Sequence, residues 1–180
     1  ASLHKSFASP APSGILAANE EYADKIFRKS IVKGDWSGRA FPNKEVELLG
    51  CTLPGCVAVG VMAAFPYVVE RVERWNEEVE KARYFSSQLT RIEGVIQLGQ
   101  YPHNHDLLHF ESSSFFEVAR AHPRKGFFLY DELKSRGITG VQPGLSRSWK
   151  LSTYGQCWEN VRKAAQAFLE IAEKYNIPIF

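Results

Sequence analysis

The order of elements in this chain predicts the α/β class: a small, mostly antiparallel sheet framed by helices, of the α+β kind. Three observations predict it. Apolar residues between Tyr67 and Ile92 keep steps of three and four, at Val68, Val72, Trp75, Val79, Ala82, Phe85 and Leu89, which is the signature of a long amphipathic helix ending at Gly94. The segments "VIQLGQ", "HDLLHFES" and "WKLSTY" are short and alternate, the second strongly enough to give one wet face. The closing stretch "CWENVRKAAQAFLEIAEKYN" returns to helical spacing through Trp158, Val161, Ala165, Phe168 and Ile171 or Ala172.

The remaining elements follow in chain order. "SGILAAN" is a short apolar run suited to a buried strand, and Asn19 is placed to cap a helix over "EEYADKIFRKS", whose first turn carries two acids. "IVKGDWSGRAFPNK" mixes Gly, Pro and charge without a period and reads as a loop. In "EVELLGCTLPGCVAVGVMAAF" the second half is expected to form a buried helix, and Pro66 to start a new element. "FFEVARAH" and "FFLYDELKSRG" read as two further helices, the latter closed by Gly137.

Composition narrows the class. With 180 residues, 44% hydrophobic content, 12 Phe, 7 Tyr and 4 Trp, the chain can bury one proper core and is expected to be soluble. A net charge of +2 does not announce a nucleic-acid binder, so any basic surface must come from clustering. Such clusters exist at Arg28, Lys29 and Lys33, at Arg120, His122, Arg124 and Lys125, and at Lys134 and Arg136. They suit RNA phosphates, although charged helix ends are the ordinary explanation. No membrane contact is expected, because Pro54 and Pro66 interrupt the apolar run "CTLPGCVAVGVMAAFPYVV". The three cysteines, Cys51, Cys56 and Cys157, match neither a disulfide framework nor a zinc ribbon, which favours a reducing, cytoplasmic setting. The opening "ASLHKS", without a methionine, reads as a fragment or a processed piece.

Chemistry concentrates in "SLHKSFASPAPSGIL". A lysine in a small-residue turn is well placed to form a Schiff base with an aldehyde cofactor, and Ser2 and His4 offer donors beside it; the alternative is that Lys5 is an ordinary surface lysine near a chain end. Cys51 in "GCTLPG" is either a small buried hydrophobe or a thiol at a turn that approaches a ligand. Cys56 and Cys157 read as buried structural residues. Arg147 in "PGLSRSWKLSTYG" enters a strand from a loop, where a guanidinium binds phosphate or carboxylate, or forms a surface ion pair. His103 and His105, with Asp106 and His109 near, invite a metal reading, but the spacing is compressed and no cysteine supports it, so no metal site is expected and a turn histidine with a satisfied hydrogen bond, or one near the substrate entrance, is the expected reading.

"SLHKS" with "PAPSGIL" resembles the lysine segment of fold-type I pyridoxal-phosphate enzymes, in the cysteine-desulfurase-like branch. It is joined by "NKEVELLGCT", "FPYVVERVERWNEEVEKARYF", "LGQYPHNHDLLHFE", "FFLYDELKSRGITGVQPGLSRSWKLSTYG" and "AFLEIAEKY". In that order these are similar to the C-terminal half of the archaeal O-phosphoseryl-tRNA:cysteinyl-tRNA synthase (SepCysS) family. The resemblance implies pyridoxal 5'-phosphate as cofactor, and replacement of the phosphate of phosphoserine on tRNA(Cys) by sulfur from a donor it does not identify. It implies Lys5 as the Schiff-base and base-catalytic lysine, Ser2, His4 and the weaker candidate Thr52 as cofactor contacts, and Cys51 in sulfur transfer. Arg147 then contacts the substrate's phosphoserine phosphate or the terminal ribose-phosphate.

The resemblance also implies a homodimer and an association with phosphoseryl-tRNA synthetase. It divides the chain into residues 1–65, the lysine-bearing end of a large cofactor-binding domain with a dimer-contact segment, and 66–180, a C-terminal small domain. The rest of the large domain is expected ahead of Lys5, so these 180 residues alone are expected to be inactive. A cysteine desulfurase or related lyase is one alternative; a non-catalytic tRNA-binding or dimerisation module is another.

Overall fold

A computed structural model of the chain describes residues 3, 5, 7, 9–10, 12–29, 44–46 and 55–180. The chain divides into two compact units, residues 1–71 and 72–180.

In the first unit, α1 (Glu20–Ile26) begins where expected, with Glu20 and Glu21 facing the positive helix end. Asn19 caps with its backbone: its carbonyl accepts from the N–H groups of Tyr22 and Ala23, and its side chain makes no capping bond. The helix is shorter than its sequence suggests. Phe27 is extended, and β1 (Phe27–Lys29) pairs antiparallel with β2 (Lys44–Val46), Phe27 opposite Val46. The strand expected over "SGILAAN" does not form. Ile15 and Leu16 stay about half exposed, so the run lacks the apolar cover that would have made it a buried strand. Residues 31–43 of the expected loop lie outside the described residues.

The helix α2 (Gly55–Glu73) corrects three expectations. It runs through Pro66 and has no buried residue, so it is neither a buried core helix nor interrupted at the proline. Its length and composition are those of a helix able to cross a membrane, and Pro66 therefore does not break the apolar run as expected. The periodicity that joins residues 67–92 on paper is also divided in space: α2 ends at Glu73, Arg74 leaves helical geometry, and α3 (Trp75–Leu89) starts anew.

In the second unit, β3 (Val95–Gln97), β4 (Leu107–Ser112) and β5 (Ser148–Ser152) form an antiparallel sheet in the order β3-β4-β5. Val95 faces Ser112, and Phe110 faces Trp149. Strand alternation buries Leu108, Phe110 and Ser112 of β4 and exposes Leu107 and Glu111, giving the wet face expected of it. Ser112 also caps α4 (Ser113–Ala121), its hydroxyl accepting from the Phe115 N–H at 3.1 Å. α5 (Phe127–Ser135) is closed by Gly137, whose φ of +77° is one that side-chain-bearing residues rarely adopt. The closing helix α6 (Trp158–Lys174) lies on α3 and buries Val161, Ala165, Phe168, Ile171 and Ala172 as its periodicity marks, while Trp158, marked with them, is only half-buried.

Phe168 organises this core. Its ring stacks on Trp149 at 6.0 Å and meets Phe85 at 6.0 Å and Phe115 at 6.3 Å edge-on. A polar staple extends the buried face of α3 toward its N-terminal end. The Lys81 ammonium, almost fully buried, bonds Glu78 Oε1 at 2.7 Å and the Gln156 carbonyl at 2.8 Å, while Glu78 Oε2 accepts from the Gly155 N–H at 3.0 Å.

A second polar cluster joins α5 to the chain end. Glu132 accepts from Arg136 at 2.8 Å, from Tyr175 at 3.1 Å and from Lys174. Burial pushes its carboxyl pKa up, but the hydrogen bonds from Lys174, Arg136 and Tyr175 outweigh that and hold it below its ordinary value. A depressed carboxylate stabilises the fold above its unfolded pKa, roughly 4.3, and that stability is lost as pH falls through the folded value. Urea unfolding should therefore show a flat midpoint near neutrality and a decline below about pH 4. Glu132→Gln should remove that part of the decline and cost roughly 1–2 kcal/mol at neutral pH. An unchanged acid profile in the variant would assign the decline to other carboxylates.

Candidate functional site

Lys5 sits in the first unit, on a loop closed by its own backbone. The Leu3 N–H donates to the Ser13 carbonyl at 2.9 Å and the Ser9 N–H to the Leu3 carbonyl at 2.8 Å. Leu3 and Ser9 are buried, while the Lys5 side chain is exposed. Small residues make this possible. Gly60 of α2 lies so near Pro10 that a Cβ there would stand 2.7 Å from Pro10 Cγ, so only glycine admits the loop this closely. Phe7 packs against Phe65 at 6.2 Å, and Arg71 Nη2 donates to the Phe7 carbonyl at 3.3 Å. The lysine is thus presented from a loop clamped to α2 just after it, through Phe7 and Pro10. A primary amine so presented fits a cofactor held through a carbonyl carbon. The other residues expected around that cofactor, Ser2, His4, Cys51 and Thr52, lie outside the described residues.

Arg147 belongs to the second unit, directly before β5. Its carbonyl accepts from the Ser112 N–H at 2.7 Å, which fixes the backbone. Its exposed guanidinium lies over the Phe116 ring at 5.5 Å. Among the described residues no carboxylate pairs with it. Stacking on one face leaves the in-plane N–H fork available for an oxyanion. Phe116 is a partner that the sequence reading missed; its only signal was the aromatic pair that opens "FFEVARAH".

The histidines are held by hydrogen bonds, His103 and His105 in the segment before β4 and His109 within that strand. His103 contacts the Leu107 carbonyl at 2.9 Å and Gln97 at 3.3 Å, His105 accepts from the Leu107 N–H at 3.1 Å, and His109 meets Ser148 Oγ at 3.0 Å. Several of the clustered bases are already neutralised: Arg120 by Glu117, Arg124 by Asp131, Arg136 by Glu132 and Glu170. Those groups are therefore a weaker RNA surface than their spacing implies. Cys56 and Cys157 are exposed free thiols and not the buried residues expected, because each stands at or beside a helix start.

The fold is the C-terminal portion of the fold-type I class: a small antiparallel sheet flanked by helices, joined to a lysine-bearing segment. A solved structure of SepCysS in complex with the SepCysE N-terminal domain matches it with a TM-score of 0.76 and 46% identity, over 96% of this chain and 44% of that one. The chain belongs to the family described as O-phosphoseryl-tRNA(Sec) selenium transferase (SepSecS), whose model matches residues 1–176. Relatives include the O-phospho-L-seryl-tRNA:Cys-tRNA synthase 2 of Archaeoglobus fulgidus, 56% identical over 99% of this chain and 46% of that protein. Another is the O-phospho-L-seryl-tRNA:Cys-tRNA synthase of Methanopyrus kandleri, 52% identical over 98% of this chain and 45% of that protein. The chain spans a little under half the length of these relatives.

Proposed function

We propose that this chain is part of a pyridoxal-phosphate-dependent enzyme that converts O-phosphoseryl-tRNA(Cys) to cysteinyl-tRNA(Cys). The observation that carries the reading is identity above 50% along nearly the whole chain to synthases named for that product, with Lys5 inside the matched region. The family's name concerns selenium on tRNA(Sec), and its common ground with these relatives is an O-phosphoseryl-tRNA; the relatives favour sulfur.

The chain's own residues have definite tasks in this reaction. Lys5 Nζ would hold the cofactor covalently, and its free amine would take the α-proton of the phosphoseryl residue and return it once sulfur has added. The bound cofactor supplies the electron sink that makes this proton acidic. The C–O bond to phosphate then breaks at the β-carbon and a C–S bond forms there; with sulfide as donor no oxidant or reductant is consumed. Arg147, stacked on Phe116 and without a carboxylate partner among the described residues, takes phosphate oxygens of the substrate. Arg147→Ala in the enzyme should raise KM for the phosphoseryl-tRNA by roughly 10–100-fold, the weight of one charge-assisted contact, with kcat changed less. Unaltered KM would leave Arg147 as a stacked surface residue.

The exposed apolar side chains of α2, among them Val59, Met62 and Phe65, support a protein contact within a homodimer more than a bilayer contact, since the same helix clamps the Lys5 loop. Exposed free Cys56 and Cys157 are in keeping with a reducing, cytoplasmic setting. The solved relative's complex with SepCysE supports a protein partner here as well. The activity test is conversion of O-phosphoseryl-tRNA(Cys) by the enzyme that contains this chain, supplied with pyridoxal phosphate and sulfide.

A further inference from the structure

The edge strand β5, the segment Gly137–Val141 and the first turns of α6 enclose a cavity of about 540 Å³. That is the size of a small-molecule site, typically ~300–1,000 Å³. Ile138, Leu151 and Ala164, which are partly exposed, give it an apolar lining. Its charged lining has one sign. Lys150 and Lys163 line it and no carboxylate does. Neither Lys150 nor Lys163 has an acidic partner among the described residues.

The backbone adds donors. The N–H groups of Thr139, Gly140 and Val141 have no acceptor among the described residues, and Gly140 has a φ of +94°. Successive free N–H groups around a residue of positive φ form the kind of concavity that holds anions. Thr153, in the same lining, is 5% exposed and its hydroxyl has no partner. A buried polar group left without a partner costs about 1–3 kcal/mol, so a ligand that supplied one would recover that cost. The first turn of α6 adds the positive end of a helix dipole. One carboxylate stands nearby: Asp106 accepts from Ser152 at 2.7 Å and pairs with His105 at 2.9 Å, so its charge is already engaged. The staple of Glu78 and Lys81 fixes Gly155 and Gln156 at the rim, so the cavity is held open without a ligand.

We propose that this cavity binds a phosphate monoester of mononucleotide size. The two ammonium groups meet its nearly double negative charge, the N–H groups of residues 139–141 bond its oxygens, and the apolar side receives its organic body. The site lies entirely within the second unit and does not depend on Lys5, so it stands apart from the activity proposed above. A free mononucleotide and the phosphorylated end of an RNA strand share this chemistry.

The test is an amide NMR titration of the chain with inorganic phosphate, AMP, unphosphorylated adenosine and a 5'-phosphorylated trinucleotide. AMP should give saturable shifts at Thr139, Gly140 and Val141 with a Kd below about 1 mM, and adenosine should not. The double variant Lys150→Ala, Lys163→Ala should weaken AMP by at least ~10-fold while keeping its circular dichroism. Should that variant unfold, Lys163→Gln alone serves, since its side chain is exposed. Tighter binding of the trinucleotide than of AMP assigns the site to an RNA end; equal or weaker binding assigns it to a free mononucleotide. No saturable shift with any phosphate probe at about 10 mM, or shifts indifferent to the lysine variants, overturns the proposal.

Discussion

Lys5→Ala is expected to remove the cofactor's visible absorbance band from the enzyme and to lower cysteinyl-tRNA formation by at least ~10³-fold, at the upper end of what losing a single general base costs. The size of the effect follows from the double duty of one atom. In the proposed reaction Lys5 Nζ would be both the attachment point of the cofactor and the acceptor of the α-proton, so alanine would remove two functions at once. Structure isolates this effect from folding: the side chain is exposed, while the loop is held by Leu3, Ser9 and Pro10, none of which the substitution touches. Lys5→Arg separates charge from chemistry, because a guanidinium keeps the positive charge and does not form the covalent link. Arginine should be as inactive as alanine. Activity within a few-fold of the parent in either variant would remove Lys5 from the site.

Phe168→Ala is expected to cost about 3–5 kcal/mol in urea unfolding of the second unit, a large part of the ~5–15 kcal/mol that holds a typical domain folded. Phe168 is fully buried and in ring contact with Phe85, Phe115 and Trp149, which come from α3, α4 and β5. Truncation therefore leaves a void bordered by three elements that have little freedom to close it. Phe168→Leu, which keeps most of the volume, should cost clearly less. A loss below about 1 kcal/mol for alanine would mean that the helices collapse into the space and that this aromatic cluster does not fix their spacing.

The second unit was largely legible because burial there follows local period. In α6 the steps from Val161 to Ala165, Phe168 and Ile171 put those residues in the core, leaving only the first marked position, Trp158, half-buried, and β4 alternates as its sequence does. Errors arose where the environment, not the period, decides. Val68, Val72, Trp75 and Val79 keep helical spacing across Arg74, yet helical geometry is interrupted there, and apolar spacing carries no sign of such a break. Pro66 reads as a stop, but a proline costs a helix one N–H bond and some crowding, and α2 continues past it. Ile15 and Leu16 read as core and remain exposed, because hydrophobicity gives no information on whether a partner surface is at hand.

The site divides in the same way. Lys5 stood out from a short motif with small neighbours, and Arg147 from its place at a strand entrance. Phe116 beneath Arg147, and the pairing of Lys150 and Lys163 across a cavity, depend on residues brought together by packing from separate segments. No local pattern announces them. The same holds for buried Lys81, whose partner carbonyl at Gln156 comes from a distant turn.

The most direct test of the proposed activity follows product on the tRNA itself. The enzyme containing this chain is incubated with O-phosphoseryl-tRNA(Cys), pyridoxal phosphate and sulfide, and the amino acid released from the tRNA is identified. Cysteine appearing in step with inorganic phosphate is the predicted result, and Lys5→Ala should give neither. Phosphoserine recovered intact from the tRNA, under conditions in which the enzyme holds its cofactor, would contradict the proposed reaction.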